Sequence, residues 1–139
     1  MTDLPKRKVL IADDEPVVRH LLRVILSKDY EVIEAQNGKE AVEIALDQRP
    51  DLVVLDMIMP QMDGLTACAI IKKTTAIPVV MVSAVAYDLN KNLAQNGAGA
   101  SAYLTKPFTG ESVIASVAAV LAGNQPAREL WTATQARAA

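Results

Sequence analysis

Short apolar runs alternate along this chain with longer stretches in which apolar residues recur every three or four positions. The runs cover residues 8–12, 31–35, 52–55, 79–82 and 102–104, and each has the length of a strand. The unbroken runs 52–55 and 79–82 are typical of strands that are buried on both faces of a parallel sheet. The pattern therefore predicts five strands, with the third near the middle of the sheet.

The stretches between these runs have the spacing of one-sided helices. The apolar positions of the first helix are Val18, Leu21, Leu22 and Ile25. A weaker, rather polar helix is predicted around Leu89 to Asn96, and the last helix covers residues 113–121. Five strands alternating with five helices through short loops predict an α/β domain built on a doubly wound parallel sheet.

The alternating pattern stops at Gly123, which sets the expected domain boundary. We predict one domain over residues 1–123 and a tail or linker over residues 124–139, whose single tryptophan is Trp131. A chain of 139 residues is long enough to bury a single core of this kind.

Composition narrows the possible partners and location. Apolar residues make up 51% of the chain but aromatic residues only 4%, so the core is aliphatic and no aromatic stacking site is indicated. The formal net charge of −2 gives no overall positive field, and we expect neither direct nucleic-acid binding nor membrane insertion. The only cysteine, Cys68, is predicted to be a small buried side chain. With no secretory or membrane-spanning segment evident, we expect a cytoplasmic protein.

Charged residues follow three of the predicted strands, at the point where each strand ends. Asp13 and Asp14 come after the first strand, Asp56 after the third, and Lys106 after the fifth. Because the carboxyl ends of parallel strands meet at one edge of a sheet, these side chains should lie close together. Each carboxylate pair would repel by roughly 4 kcal/mol at about 4 Å and an effective dielectric of about 20. The cluster therefore requires a cation.

These residues give the sequence a specific resemblance to a known family. Over roughly residues 6 to 122 the chain resembles the receiver domain of bacterial two-component response regulators of the single-domain, chemotaxis type. The resemblance rests on the acidic pair, on Asp56, on a hydroxyl after the fourth strand (Ser83), on Lys106-Pro107, and on the loop at residues 56–64. In this family we expect a flavodoxin-like fold with strand order 2-1-3-4-5.

The resemblance implies a role for each matching residue. Asp56 would accept a phosphoryl group from the phosphohistidine of a sensor histidine kinase or of a histidine phosphotransfer protein. Mg²⁺ would be held by Asp13, Asp14, Asp56 and the backbone carbonyl of Ile58. Lys106 and Ser83 would contact the phosphoryl oxygens, and a cis peptide bond between Lys106 and Pro107 would direct the lysine inward. Such a protein catalyses only its own phosphoryl transfer and slow autodephosphorylation.

The resemblance also implies an output and a lifetime. Tyr103 matches the aromatic switch position, which would respond when Ser83 moves toward the phosphoryl group. The partner-binding surface would consist of the helix around residues 89–96, the fifth strand and the last helix. Ile58 and Val85 stand where family members influence the access of water, and neither side chain can orient an attacking water. We therefore expect slow autodephosphorylation.

Other functions remain open at this stage. The chain could be the amino-terminal receiver of a longer regulator whose DNA-binding or enzymatic output domain lies beyond residue 139. A Mg²⁺-dependent phosphatase of the haloacid dehalogenase type would need a second aspartate where Ile58 stands. A flavodoxin-like nucleotide binder would need a phosphate-binding first loop, whereas residues 13–15 are acidic. His20, the only histidine, is interpreted as an exposed residue on the polar side of the first helix rather than as a phosphoryl relay.

Overall fold

Five parallel strands form the sheet of this protein, in a computed structural model that describes residues 6–83 and 99–123. The strands are β1 (Lys8–Ala12), β2 (Glu31–Ala35), β3 (Leu52–Asp56), β4 (Val79–Ser83) and β5 (Ala102–Thr105). Their order across the sheet is β2-β1-β3-β4-β5. This order confirms the predicted doubly wound, flavodoxin-like fold.

Four helices lie within the described residues. They are α1 (Pro16–Leu26), α2 (Gly38–Gln48), α3 (Gly64–Thr74) and α4 (Gly110–Leu121). The helix predicted around residues 89–96, the lifetime position Val85, and the tail with Trp131 lie outside the described residues. Among the residues that are described, no helix combines the length and the apolar composition needed to cross a bilayer.

The internal strands β3 and β4 divide their side chains between two cores. In β3, Val53 and Leu55 pack into the core covered by α2 and α3, whereas Leu52 and Val54 pack into the core covered by α1 and α4. The alternation follows from the two-residue period of a strand, and every residue of β3 and β4 is buried. Burial on both faces explains why these runs are uninterrupted in the sequence.

Two side-chain caps place helices close to the carboxyl edge of the sheet. The Asp63 side chain accepts a hydrogen bond of 2.8 Å from the backbone N–H of Thr66 and so begins α3, a position for which aspartate is a favoured residue type. Asn37 accepts one of 2.8 Å from the N–H of Glu40. By residue type the pair Asn37-Gly38 predicts a turn, but in the structure Asn37 caps α2 and Gly38 is its first residue. A polar residue followed by glycine fits either structure.

Candidate functional site

Three carboxylates converge at the carboxyl edge of the sheet. Asp13 and Asp14 follow β1, and Asp56 is the last residue of β3. Each offers one carboxylate oxygen, and these oxygens all lie within 4.8 Å of one another. Asp13 and Asp56 are only 1% and 6% exposed, whereas Asp14 is exposed. The cluster is therefore partly buried yet open to solvent on one side.

Lys106 reaches into this cluster from the end of β5. Its Nζ lies 3.4 Å from Oδ2 of Asp13 and 3.5 Å from Oδ1 of Asp56. It also lies 3.5 Å from Oε1 of Glu15, a carboxylate that the sequence did not single out. The peptide bond between Lys106 and Pro107 is cis. One ammonium group thus faces three carboxylates.

Burial and crowding change how the cluster binds protons. Burial, followed by repulsion from Asp13, raises the pKa of Asp56 to about 6, although Lys106 partly opposes this. Burial also raises the pKa of Asp13. For Lys106, burial lowers the pKa, but the charges of Asp56 and Asp13 outweigh that effect and the net change is upward. The ammonium is therefore charged, and one positive charge only partly neutralises the cluster.

The donor set fits a divalent cation such as Mg²⁺. Asp13, Asp14 and Asp56 supply carboxylate oxygens alone, without histidine or cysteine in the group, and Mg²⁺ prefers such oxygen ligands. The pKa of Asp56 is raised first by burial and then by the charge of Asp13, and a bound cation would oppose both effects. The residues present could therefore hold Mg²⁺.

The loop after Asp56 is fixed tightly against the sheet. The backbone N–H of Met57 donates a hydrogen bond of 2.8 Å to the carbonyl of Val82. The N–H of Gly64 donates one of the same length to the carbonyl of Met57. Met57 is buried, whereas Ile58 is 68% exposed. Ile58 therefore presents an apolar side chain to solvent two residues after Asp56.

Ser83 and Tyr103 lie on neighbouring strands. Ser83 ends β4, is buried, and accepts a hydrogen bond of 2.6 Å at its carbonyl from the backbone N–H of Lys106. Tyr103 is half-buried and packs against the core under α3, where burial and then Cys68 raise its pKa. Tyr103 therefore lies in β5 with its ring on the α3 side of the sheet.

Two further sequence interpretations concern residues away from the cluster. His20 is exposed on α1, as predicted. Cys68 is fully buried, and burial raises its pKa to about 11, which keeps the thiol protonated. Both outcomes agree with a surface histidine and an inert core cysteine.

One contact of the site was not predicted from sequence. Arg19 is not one of the apolar positions that predict the first helix, yet its Nη1 donates a hydrogen bond of 2.8 Å to the backbone carbonyl of Asp13. Helical spacing shows the face on which Arg19 lies but not the atom that its long side chain reaches. Only its position in α1, directly after the acidic loop, could have suggested the contact.

Comparison with known proteins gives a consistent result. The response regulator receiver domain family matches residues 9–118. The transcriptional regulatory protein ResD of Bacillus subtilis (strain 168) is 36% identical over 122 residues, which is 87% of this chain and 50% of ResD. The chain spans about half the length of the curated relatives it matches.

Solved structures support the same assignment. The receiver domain of the Francisella response regulator 1452 has a TM-score of 0.73 and 28% identity, over 93% of this chain and 99% of that one. The BeF3-activated N-terminal receiver domain of RstA from Klebsiella pneumoniae has a TM-score of 0.75 and 30% identity, over 82% and 97%. Together with the matched family and the acidic edge of the sheet, these similarities show that the chain belongs to the response regulator receiver domain family of two-component systems.

Proposed function

We propose that this chain is a phosphorylatable signalling receiver in which Asp56 accepts a phosphoryl group with the help of Mg²⁺. The observation that carries the proposal is the convergence of Asp13, Asp14 and Asp56, with Lys106 at 3.5 Å from the proposed acceptor. The phosphoryl donor would be the phosphohistidine of a sensor kinase or of a histidine phosphotransfer protein. The carboxylate oxygen of Asp56 forms the new P–O bond while the P–N bond breaks, and the imidazole keeps that electron pair.

The residues around Asp56 support such a transfer by position and charge. Mg²⁺, held by Asp13, Asp14, Asp56 and the backbone carbonyl of Ile58, would supply positive charge to the transferring phosphoryl oxygens. Lys106 supplies a compact charge for a further oxygen, and the Ser83 hydroxyl donates to one once the group is attached. With a pKa of about 6, Asp56 is mostly ionised at neutral pH and therefore nucleophilic.

The proposed output is a change in a protein-binding surface. Movement of Ser83 toward the phosphoryl group would alter the packing of Tyr103 on the neighbouring strand. In the β4–β5 register Ser83 is the partner of Thr105, so Tyr103 lies two residues before the partner of Ser83 on the neighbouring strand. The surface would comprise β5, α4 and the helix predicted at residues 89–96, and its partner would be a downstream protein.

The proposed lifetime of the phosphorylated form is long. Ile58 is exposed beside Asp56 and has no group that could orient water toward the phosphoryl group. Val85 is expected to act in the same way. A turnover phosphatase is disfavoured because Ile58 stands where that chemistry needs a second aspartate. The chain is therefore proposed as a phosphoacceptor in a cytoplasmic pathway rather than as an enzyme.

Intact-mass measurement after incubation with Mg²⁺ and acetyl phosphate or phosphoramidate tests this proposal. One added phosphoryl mass is expected for the wild type and none for Asp56→Asn. Asp51→Asn is the matched control. Asp51 lies directly before the first residue of β3, at the other end of this strand from Asp56, and its carboxylate accepts a hydrogen bond from the backbone N–H of Lys8. Labelling of Asp56→Asn at the wild-type level would contradict the proposal.

A second candidate is the receiver portion of a longer regulator. It is favoured by the observation that the chain matches only about half of curated relatives such as ResD, which is named a transcriptional regulatory protein. In that case residues 124–139 would link the domain at residues 1–123 to an output domain, and nucleic-acid binding would belong to that domain. An antibody against the chain would then detect, in extracts of the native source, a species well above 14.9 kDa. A species of that mass alone would contradict this candidate.

A further inference from the structure

The backbone and side chain of Asp13 are held at four points. Its N–H donates to the carbonyl of Ala35 at 3.2 Å, and its Oδ1 accepts from the N–H of Glu15 at 2.9 Å. Its Oδ2 lies 3.4 Å from Nζ of Lys106. Its backbone carbonyl accepts a hydrogen bond of 2.8 Å from Nη1 of Arg19. Of these contacts, only the one from Arg19 comes from a helix side chain.

Arg19 is itself held in one orientation by Glu34. The Nε of Arg19 lies 2.9 Å from Oε1 of Glu34, and the side chain of Arg19 is only 16% exposed. Hydrogen bonds from Arg23 and then Arg19, with burial acting in the opposite direction, lower the pKa of Glu34. The carboxylate is therefore charged, and the planar guanidinium of Arg19 donates to β2 and to the loop after β1 at the same time.

We propose that Arg19, oriented by Glu34, is a positioning residue that fixes the backbone of Asp13 and so sets the geometry of the cation site. The proposal rests on the proposed function in taking Asp13 as a Mg²⁺ ligand. Groups that hydrogen-bond around a metal ligand orient it, and their removal commonly weakens metal binding. Here the group acts through the backbone of the ligand rather than through its carboxylate.

Arg23 provides a matched control on the same helix. It also binds Glu34 through its Nε, and its Nη2 lies 3.4 Å from the carbonyl of Val32. Within the part of the chain that the structure describes, its hydrogen bonds reach Glu34 and Val32 but not Asp13. If both arginines only joined α1 to β2, substitution of Arg19 and substitution of Arg23 would have equal effects on Mg²⁺ binding. If Arg19 positions Asp13, only its substitution should weaken Mg²⁺ binding.

The first test is Mg²⁺ binding by calorimetry to the full chain, with Arg19→Ala and Arg23→Ala compared. We expect Arg19→Ala to weaken Mg²⁺ binding by about tenfold and Arg23→Ala to leave it close to wild type. Arg19→Lys keeps the charge and a helix-forming residue but replaces the planar fork, which uses separate nitrogens for the two acceptors, with one compact ammonium, so an intermediate loss is expected. That variant decides the question if Arg19→Ala does not fold. Equal losses for matched Arg19 and Arg23 variants would overturn the proposal.

A second test is independent of metal and phosphoryl chemistry. Hydrogen exchange of the Glu15 amide, which donates to Asp13, is measured in the metal-free chain. The proposal predicts faster exchange in the Arg19 variants than in the Arg23 variants, and equal rates would overturn it. A wild-type chain that binds no Mg²⁺ would overturn the proposed function and, with it, the claim that Arg19 sets the geometry of a cation site. The exchange rates would still support or overturn the separate claim that Arg19 anchors the backbone of Asp13.

Discussion

The backbone carbonyl of Asp56 lies directly against Gly64, the first residue of α3. A β-carbon built on Gly64 would lie only 2.1 Å from that carbonyl oxygen. The N–H of Gly64 also donates to the neighbouring carbonyl of Met57 at 2.8 Å. The start of α3 therefore fixes the end of β3, on which the proposed phosphoacceptor stands.

Substitution of Gly64 by alanine should disturb both stability and phosphorylation. The contact is with backbone, which cannot move aside as a flexible side chain could, so we expect a loss of about 1 to 3 kcal/mol in the free energy of unfolding. Slower labelling by acetyl phosphate should accompany it. Urea denaturation and intact-mass kinetics measure the two effects.

Gly110→Ala is the control for that substitution. Gly110 is also the first residue of a helix, but its β-carbon would lie 3.8 Å from the nearest atom, Cγ1 of Ile25. The same change should there be neutral or stabilising by about 0.4 to 1 kcal/mol. Equal destabilisation of the two variants would contradict the close-approach explanation.

The stability of the metal-free protein should fall as pH rises through the titration of Asp56. The folded chain binds this proton more tightly than the unfolded chain, because the pKa rises from 3.8 to about 6. The loss of folding stability caused by ionised Asp56 is therefore absent below about pH 4 and fully present above about pH 6. Asp56→Asn should therefore raise the free energy of unfolding at pH 7.5 by about 1 to 3 kcal/mol and have little effect near pH 4. Thermal denaturation without divalent cations measures this, and a stabilisation independent of pH would contradict it.

The stabilisation that added Mg²⁺ gives to the folded protein should increase as pH rises, whereas the stability of the metal-free protein falls. Cations and protons compete for the same carboxylates, so the stabilisation of the wild type by Mg²⁺ should be large at pH 7.5 and much smaller at pH 5. Asp51→Asn should behave as the wild type, whereas Asp56→Asn should lose most of the effect. The shift in melting temperature with Mg²⁺ concentration measures the outcome.

Replacement of Ile58 by glutamine should shorten the lifetime of the phosphorylated protein. A polar side chain at this exposed position could orient an attacking water, and we expect decay that is faster by about tenfold or more. Ile114→Gln is the control, since Ile114 is another exposed isoleucine but lies in α4. Loss of phosphoryl mass after removal of acetyl phosphate gives both rates. Wild-type decay within seconds would contradict the slow-hydrolysis proposal.

Tyr103 should change its environment when the site is activated. With 3-fluorotyrosine incorporated, its ¹⁹F resonance should shift on addition of Mg²⁺ and beryllofluoride, because its half-buried ring must repack if Ser83 moves. Tyr103→Phe assigns that resonance. Tyr30→Phe assigns a control resonance from a tyrosine that follows α1 and should shift little. An unshifted Tyr103 resonance would contradict the switch.

Much of the fold can be predicted from the local sequence pattern, because strands that are buried on both faces appear as uninterrupted apolar runs. The uninterrupted runs that became β3 and β4 are buried on both faces, and Asp63 begins α3 as its residue type predicts. The meeting of Asp13, Asp14 and Asp56 was predicted because parallel strands bring their carboxyl ends to one edge. Strand ends are thus a reliable guide to which residues meet.

Two kinds of contact were harder to predict: those made by a long side chain, and those that are possible only because a residue has no side chain. Arg19 lies between the apolar positions that predict the first helix, and nothing in that spacing predicts that the fork of its guanidinium reaches both Glu34 and the carbonyl of Asp13. By residue type Gly64 predicts only a break in regular structure, whereas in the structure its lack of a β-carbon permits contact with the backbone of Asp56. Both contacts depend on the three-dimensional approach of separate elements, which residue type and spacing do not encode.

The most direct measurement of the central claim is chemical mapping of the phosphoryl group. After incubation with Mg²⁺ and acetyl phosphate, borohydride reduces an aspartyl phosphate to homoserine, which peptide mass spectrometry locates in the sequence. The account predicts homoserine at position 56, dependent on both Mg²⁺ and the phosphoryl donor. Homoserine at Asp13 or Asp14 instead, or at no aspartate under these conditions, would contradict it.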